Sequence, residues 1–161
     1  MFDKSHLVNI YQTVVNSNIG KLGISNAGVI LLRCDGAALM QHRDDNPGLR
    51  RAGMWVPPGG SIEYGETPEQ GARREFLEET LYTCGELHYL GTFEEDLEGD
   101  WPVFLVAIFW GIYDGVQSVK CMEGQAIEFI PREEVSEYGI TSDVVDLWDK
   151  AIKQAMNYRE L

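Results

Sequence analysis

The sequence predicts an α+β fold in which a mixed β-sheet lies between helices packed on both of its faces. Two observations carry this prediction. Six short apolar segments have the length and composition of strands, and two later segments carry helix caps followed by apolar residues at helical spacing. Strands and helices do not alternate regularly along the chain, which disfavours a doubly wound parallel sheet.

The chain begins with a predicted helical arm over residues 1–22, and a single domain is predicted over residues 23–161. In the arm, apolar residues recur at helical spacing, at Leu7, Ile10, Tyr11 and Val14. Such a stripe suits packing against the domain or against a second copy of the chain. A homodimer and an ordinary core contact are therefore both open.

Strands are predicted where apolar and β-branched residues run between turn signals. Asp35-Gly36 is a turn typical of a hairpin between the first two strands. By contrast, Pro57-Pro58-Gly59-Gly60 predicts a loop without regular structure. The predicted strands cover residues 27–32, 37–42, 54–56, 87–93, 103–113 and 126–130.

The first helix of the domain has a complete start signal. Thr67 is its predicted N-cap, Pro68 occupies the first helical position, and Gln70 completes a capping box. The helix is expected to end near residue 80, and Gly71 is a local weakness of ~1 kcal/mol relative to alanine. The last helix begins at a cap on Thr141 or Ser142, and its core stripe comprises Val144, Val145, Trp148, Ile152 and Ala155.

The charge and the cysteines narrow the function classes. The 161 residues include 26 acidic and 13 basic side chains, for a net charge of −13. This surplus excludes nucleic acid and anionic membrane as partners, because both require Lys and Arg to neutralise phosphate. The three cysteines are scattered, and the longest apolar run is too short for a membrane span. We therefore predict a soluble cytoplasmic protein that needs a cation to handle a phosphate substrate.

Three glutamates on the first helix can act together. Glu75, Glu78 and Glu79 are spaced at i, i+3 and i+4, so they share one face of the helix. A solvated acidic face is the ordinary interpretation of such a run. However, a Gly-Gly loop that allows close backbone approach lies just upstream, and carboxylates are the hard oxygen ligands that suit Mg²⁺ or Mn²⁺. The context favours a metal cluster, with Arg74 able to orient it.

This segment resembles the Nudix box, G-x5-E-x7-R-E-U-x-E-E-x-G-U, where U is apolar. Gly60, Glu66 and the run Arg74-Glu75-Phe76-Leu77-Glu78-Glu79 match it at fixed spacing. One position departs from the pattern, since Leu81 stands where the box has a glycine. Leu81 must either avoid the left-handed backbone conformation or hold it at a cost of ~1–2 kcal/mol.

The resemblance implies a Nudix-like α/β/α sandwich and a Mg²⁺- or Mn²⁺-dependent hydrolase of nucleoside diphosphates linked to another moiety. Water would attack a phosphorus of the phosphoanhydride. By the same resemblance, the metal ligands would be Glu75, Glu78, Glu79 and the carbonyl of Gly59. Glu66 and Arg74 would orient this cluster.

Other site residues are predicted less directly. Family members take their general base either from the box or from a later loop, so Glu123 is the candidate and Glu78 the alternative. Arg43, Arg50 and Arg51 lie where they could contact substrate phosphates, although surface arginines are the commoner case. Trp55 could stack on a base, although a strand tryptophan more often belongs to the core.

Three functions are weighed on these residues. The first is hydrolysis of a nucleoside triphosphate or a nucleotide sugar, between which the sequence does not choose. The second is a catalytically silent Nudix-like module that binds a nucleotide and regulates a partner. The intact, mutually repelling glutamate cluster argues against it. The third, a prenyl diphosphate isomerase, would need a Cys and His set that the sequence does not supply.

Overall fold

The computed structural model describes residues 23–95 and 103–158. In chain order the strands are β1 Ile24–Leu32, β2 Ala38–His42, β3 Trp55–Val56, β4 Gly59–Ser61, β5 His88–Glu95, β6 Phe104–Ile112 and β7 Ala126–Ile130. Helix α1 spans Pro68–Thr80, between β4 and β5. After β7 come a 3₁₀ helix, Arg132–Glu137, and helix α2, Ser142–Asn157.

The described strands form one mixed sheet, as predicted. The principal strand order is β3-β2-β1-β6-β5. β1 and β6 run parallel along their whole length, while the other pairings are antiparallel. β7 pairs with β2 along all five residues of that strand. The sheet is mixed because one parallel pair is flanked by antiparallel pairs. This is the arrangement predicted from the lack of βαβ alternation along the chain.

The sheet splits where the site forms. β1 and β2 share a single pair, Leu32 with Ala38, and then diverge. The edge of β1 that β2 leaves is taken by β4, whose Gly59 and Gly60 pair with Gly28 and Ala27. The prediction of an irregular loop over residues 57–60 was therefore wrong for Gly59 and Gly60. These glycines form a strand through backbone hydrogen bonds, which require no side-chain pattern.

Each face of the sheet carries its own core. On one face Trp148 of α2 packs with Trp110, Met40 and their neighbours, and the indole Nε1 of Trp148 donates to the carbonyl of Gly36 at 2.9 Å. On the other face Phe76 of α1 packs against a cluster that includes Leu31. A helix on each side of the sheet confirms the predicted arrangement.

The ends of α1 match the sequence closely. The hydroxyl of Thr67 accepts from the N–H of Gln70, and the Gln70 side chain accepts from the N–H of Thr67 in return. The helix ends at Leu81, which takes the left-handed conformation (φ 54°, ψ 19°) normally left to glycine. Its N–H donates to the carbonyl of Leu77 at 2.8 Å. The chain thus accepts the strain of ~1–2 kcal/mol instead of rerouting the exit loop.

The remaining predictions concern the last helix, the N-terminal arm and membrane-spanning segments. The predicted last helix is confirmed as α2, with Thr141 at its N-cap, although its buried stripe runs through Ala151 and does not include Val145. The predicted arm over residues 1–22 lies outside the described residues, so its helix and any dimer contact stay predictions. In residues 23–95 and 103–158, no helix is long and apolar enough to cross a membrane.

Candidate active site

Helix α1 carries two of the predicted glutamates into a pocket at the split in the sheet. Ala72 and Phe76 are fully buried and fix the rotation of the helix against the sheet. Glu75 and Glu79 then face a cavity of about 380 Å³. Its wall combines these glutamates with Glu123, the glycines of β1 and β4, three arginines and an apolar side, Phe93, Val106, Ile108 and Leu147.

The double glycine of β4 is required by close approach. A Cβ on Gly59 would lie 2.4 Å from the carbonyl oxygen of Ala27, and a Cβ on Gly60 would lie 2.5 Å from Oε2 of Glu75. Neither distance is tolerated between real atoms. Glycine at these positions lets the backbone of β4 lie directly against β1 and against the carboxylate of Glu75.

Arg74 ties the acidic groups together. Its Nε and Nη2 donate to the two oxygens of Glu66 at 2.7 and 3.0 Å, and Nη1 donates to Glu75 at 2.8 Å. Nη2 also donates to the carbonyl of Ser61 at 2.8 Å. The hydrogen bonds from Arg74 lower the pKa of Glu66 to about 2. This bidentate pair anchors the loop before α1 to the helix and so orients Glu75.

Gly71 is explained by the same anchor. A Cβ at this position would lie 3.2 Å from Oε2 of Glu66 and 3.2 Å from the side chain of Ile62. The glycine that weakens the helix locally therefore makes room for the loop that carries Glu66. The sequence indicated the weakness of Gly71 but not its reason, because the reason is a contact between segments.

Glu79 is the buried member of the cluster. It is 3% exposed, and its Oε2 accepts from the N–H of Gly59 at 3.1 Å. Burial, together with the charges of Glu123 and Glu75, raises the pKa of Glu79 to about 8. A buried carboxyl group with acidic neighbours is held in its neutral form until a cation offsets the repulsion.

We expect the raised pKa of Glu79 to make the stability of the metal-free protein fall with pH. The folded state keeps this proton up to about pH 8, whereas an unfolded glutamate loses it near its ordinary pKa of 4.5. Between these values the folded state binds more protons, so the free energy of unfolding decreases as pH rises. In the presence of a chelator, the melting temperature should therefore be at least about 3 °C lower at the upper pH of this interval than at the lower pH.

Glu79→Gln should remove most of this dependence of the melting temperature on pH, because an amide does not titrate in this interval. A melting temperature of the parent protein that stays constant or rises between these pH values would contradict the raised pKa of Glu79. The lowered pKa of Glu66 does not interfere, because its contribution to stability is lost only at more acidic pH.

The loop before β7 brings Glu123 beside Glu79. The N–H of Met122 donates to the carbonyl of Glu79 at 3.0 Å, and the N–H of Lys120 donates to the carbonyl of Thr80 at 2.9 Å. These two carbonyls lie at the C-terminal end of α1, where the helix leaves them without partners of its own. The loop therefore docks onto the helix end and carries Glu123 to the pocket wall.

Glu78 lies elsewhere. Its side chain is 60% exposed and touches Nη1 of Arg74 at 3.5 Å, and the residue is not part of the described pocket wall. The structure thus brings together Glu75, Glu79 and Glu123, but not Glu78, although the sequence grouped Glu78 with the metal ligands.

The carboxylates that line the pocket fit a divalent cation by their chemistry. They are hard oxygen donors around one cavity, and the pKa of Glu79 is raised first by burial and then by the charges of Glu123 and Glu75, which a cation would offset. As the side chains stand, no group of three His, Cys, Asp or Glu residues within 23–95 and 103–158 is arranged to hold a metal ion. Glu75 is engaged by Arg74 and Glu79 by Gly59, so a shared cation would require both carboxylates to shift relative to these partners.

The three predicted arginines have different surroundings. Arg51 is engaged on every side: it pairs with Glu95 and donates to Thr141 at 2.8 Å and to Asp143 at 2.6 Å. These bonds tie the loop before β3 to β5 and to the start of α2. Arg51 lines the pocket, but these partners occupy its guanidinium, so a phosphate contact by Arg51 stays a prediction.

The two other arginines also line the pocket. Arg50 pairs with Glu95 and lies over the ring of Phe104, with 4.0 Å between the guanidinium carbon and the ring centroid. Arg43 donates through Nε to the carbonyl of Arg50 at 2.9 Å. The charge of Arg43 lowers the pKa of Glu79, although by less than burial raises it. Arg43 therefore lies close enough to the carboxylate cluster to act on the same ligand.

Trp55 belongs to the core. It is 9% exposed, stacks on His42 with ring centroids 4.7 Å apart, and meets the edge of Tyr138 at 5.3 Å. It is absent from the described pocket wall. Its packing agrees with the ordinary interpretation of a strand tryptophan, and stacking of a substrate base on Trp55 stays a prediction.

Sequence reasoning missed several residues of the pocket. Glu95 and Asp143 were not singled out, because they become neighbours only through Arg51, and nothing local connects them. Asn26 lies on β1 with 8% exposure and faces the cavity. Asn26 follows another polar residue, Ser25, at the start of the strand, so no local signal distinguished it.

Fold and site together define a domain of the Nudix class. The family model for the NUDIX domain matches residues 24–149. A MutT-like protein of Streptomyces ambofaciens is 32% identical over 114 residues, which cover 71% of this chain and 67% of that protein. The chain belongs to the Nudix hydrolase family.

Two further comparisons are narrower. An oxidized purine nucleoside triphosphate hydrolase of Danio rerio is 43% identical over 58 residues, which cover 36% of this chain and only 37% of that protein's own length. The crystal structure of a MutT NUDIX hydrolase from Burkholderia pseudomallei superposes with a TM-score of 0.68 at 18% identity, covering 78% of this chain and 95% of that one. At this identity the superposition shows the fold alone.

Proposed function

We propose that this protein hydrolyses a phosphoanhydride bond in a nucleotide-type substrate, with Mg²⁺ or Mn²⁺ as cofactor and water as the attacking group. The observation that carries the proposal is the convergence of Glu75 and Glu79 from α1 with Glu123 from the loop before β7 on one pocket. An acidic pocket repels a polyphosphate, so a cation must lie between the two.

The cation would be held by Glu75 and Glu79, with the carbonyl of Gly59 as a further oxygen ligand and Glu78 as a ligand only if its side chain turns inward. When bound, a divalent cation neutralises charge on the diphosphate and lowers the pKa of water. Glu66 and Arg74 act as positioning residues. Their bidentate pair holds the loop against α1, and Arg74 orients Glu75 directly.

Glu123 is the proposed general base. A base must lie within reach of the attacking water, and Glu123 lines the pocket close enough to Glu79 to raise the pKa of that residue. The alternative base, Glu78, is 60% exposed and engaged with Arg74. Both residues are exposed, so the position of Glu123 in the pocket wall is what favours it.

Arg43 is the proposed phosphate contact of the substrate. It lines the cavity, and its Nε bond to the carbonyl of Arg50 restrains the guanidinium. Arg51 holds the pocket wall instead of the substrate, because its N–H groups are used by Glu95, Thr141 and Asp143. A guanidinium that is already paired with two carboxylates gains little from a phosphate.

A nucleoside triphosphate is the first substrate class to test. The Danio rerio relative carries the name of an oxidized purine nucleoside triphosphate hydrolase, and the apolar pocket side of Phe93, Val106, Ile108 and Leu147 suits a flat, uncharged group. Nucleotide sugars remain the second class, because the carboxylate cluster serves any diphosphate equally.

The test is a panel of nucleoside triphosphates, their oxidised purine forms and nucleotide sugars, assayed for phosphate and pyrophosphate release with Mg²⁺, with Mn²⁺ and with a chelator. We expect turnover of at least one triphosphate that the chelator abolishes. Binding of a nucleotide without turnover of any compound would overturn the proposal in favour of the regulatory module. Turnover that survives the chelator would overturn the metal requirement.

A further inference from the structure

Gln41 is a buried polar side chain that the chemistry above leaves unused. It lies on β2 with 1% exposure, between β3 and β7, and pairs with Val56 on one side and Ile127 on the other. Successive side chains of a strand alternate between faces, so Gln41 points to the same side as Leu39, which packs with α1. A buried amide on this face requires a hydrogen-bond partner.

The partner is the backbone of Glu123. Nε2 of Gln41 donates to the carbonyl of Glu123 at 3.1 Å, and the exposed thiol of Cys121, a weaker donor, reaches the same oxygen at 3.2 Å. The next residue, Gly124, has φ +80°, and a Cβ there would lie 2.5 Å from the carbonyl oxygen of His42 and 3.2 Å from Cγ of Gln41. The turn thus lies directly on β2.

The turn is held from two sides. From α1, the carbonyl of Glu79 accepts from the N–H of Met122 at 3.0 Å. From β2, the carbonyl of His42 accepts from the N–H of Gln125 at 2.7 Å, while Gln41 holds the residue between them. Of these three contacts, only the one from Gln41 is made by a side chain and can be removed by substitution.

We propose that Gln41 is a positioning residue that sets the place of the Glu123 carboxylate in the pocket by holding the carbonyl of the same residue. This inference rests on the proposed role of Glu123 as general base. A catalytic group that is displaced by even 1 Å loses much of its effect, so the amide of Gln41 contributes to the rate of the chemical step and not to substrate binding.

The test is a double-mutant cycle of Gln41→Met and Glu123→Gln, with kcat and KM measured on the best substrate of the panel. Methionine keeps the volume of glutamine and removes the donor. We expect Gln41→Met to lower kcat about tenfold and to leave KM within about twofold. In the Glu123→Gln background the same substitution should change kcat by less than about twofold, because the group that Gln41 positions is already absent.

Gln154→Met is the matched control. Oε1 of Gln154 accepts from the indole of Trp110 at 2.7 Å, on α2 and outside the pocket wall, so the substitution also removes a hydrogen bond of a glutamine. It should lower the melting temperature without lowering kcat. Thermal unfolding of every variant checks the fold, and Gln41→Asn, which withdraws the amide by one methylene, replaces Gln41→Met in the cycle if methionine prevents folding.

Two results overturn the inference while leaving the proposed function intact: a kcat of Gln41→Met within twofold of the parent, or an equal loss of kcat in both backgrounds. If Glu123→Gln alone lowers kcat by less than tenfold, the assignment of Glu123 as base fails and the inference fails with it. That outcome is distinguishable, because it appears in the single variant of Glu123.

Discussion

Replacing Glu79 with glutamine should lower kcat by roughly 10²–10³-fold on the best substrate in the presence of Mg²⁺. Glutamine preserves the size of the side chain and can still accept the N–H of Gly59, which now bonds to Oε2 at 3.1 Å. It removes the negative charge that a divalent cation would need at the base of the pocket. A loss of kcat in this variant would therefore result from the missing charge and not from a change in the shape of the side chain.

The same variant should bind Mn²⁺ more weakly, as measured by calorimetric titration. In the presence of a chelator, Glu79→Gln should be at least as stable as the parent near pH 8, because it has no buried carboxyl group that must ionise among acidic neighbours. Glu69→Gln is the matched control. Glu69 lies in the first turn of the same helix, pairs with Arg73 at 2.9 Å and does not line the pocket, so its loss should leave kcat unchanged. Near-parent turnover by Glu79→Gln would show that Glu79 holds no catalytic metal.

The features that could be predicted from the sequence are those whose causes are local. The start of α1 was predicted to the residue, because Thr67 and Gln70 exchange hydrogen bonds across a single helical turn. β4 was missed because Gly59 and Gly60 have no side chains to form an alternating pattern. Their strand exists only because β2 leaves the edge of β1 open, which is a property of the whole sheet.

Helix geometry also separates the three glutamates. Each residue turns the helix by about 100°, so Glu79 lies about 40° from Glu75 on one side and Glu78 about 60° on the other. Glu78 and Glu79 therefore point in directions about 100° apart around the helix axis. One is 60% exposed on its side chain and the other is 3% exposed. A shared face, inferred from i, i+3 and i+4 spacing, was too coarse to decide which glutamates reach the pocket.

The partners of Arg51 could not be predicted from the sequence, because they are distant along the chain. Its partners are Glu95, Thr141 and Asp143, at separations of 44, 90 and 92 residues. Its place in the loop before Trp55 allowed a phosphate contact, with a surface arginine as the commoner case, and neither interpretation included these distant partners of the guanidinium. Arg43 and Arg51 are indistinguishable by residue type and nearly so by position, and only the tertiary contacts separate a pocket cation from a structural one.

Replacing Glu123 with glutamine should lower kcat by a factor of ~10²–10⁴, the usual contribution of a general base. KM should change little, because the Glu123 carboxylate would act on water and not on the substrate. The backbone of the turn should be preserved, since its contacts with Gln41 and with the carbonyl of Glu79 do not involve the substituted carboxylate. Steady-state kinetics on the best substrate, at saturating Mg²⁺, measures both quantities.

Comparison with Mn²⁺ affinity separates a base from a metal ligand. If Glu123 acts as the base, Glu123→Gln binds Mn²⁺ within a few-fold of the parent, whereas Glu79→Gln does not. Glu128→Gln, on β7 at an exposed position outside the pocket wall, is the matched control and should keep parental kcat. A loss smaller than about tenfold in Glu123→Gln, together with a large loss in Glu78→Gln, would move the base to α1. It would then require the exposed Glu78 side chain to swing into the pocket during turnover, away from Arg74.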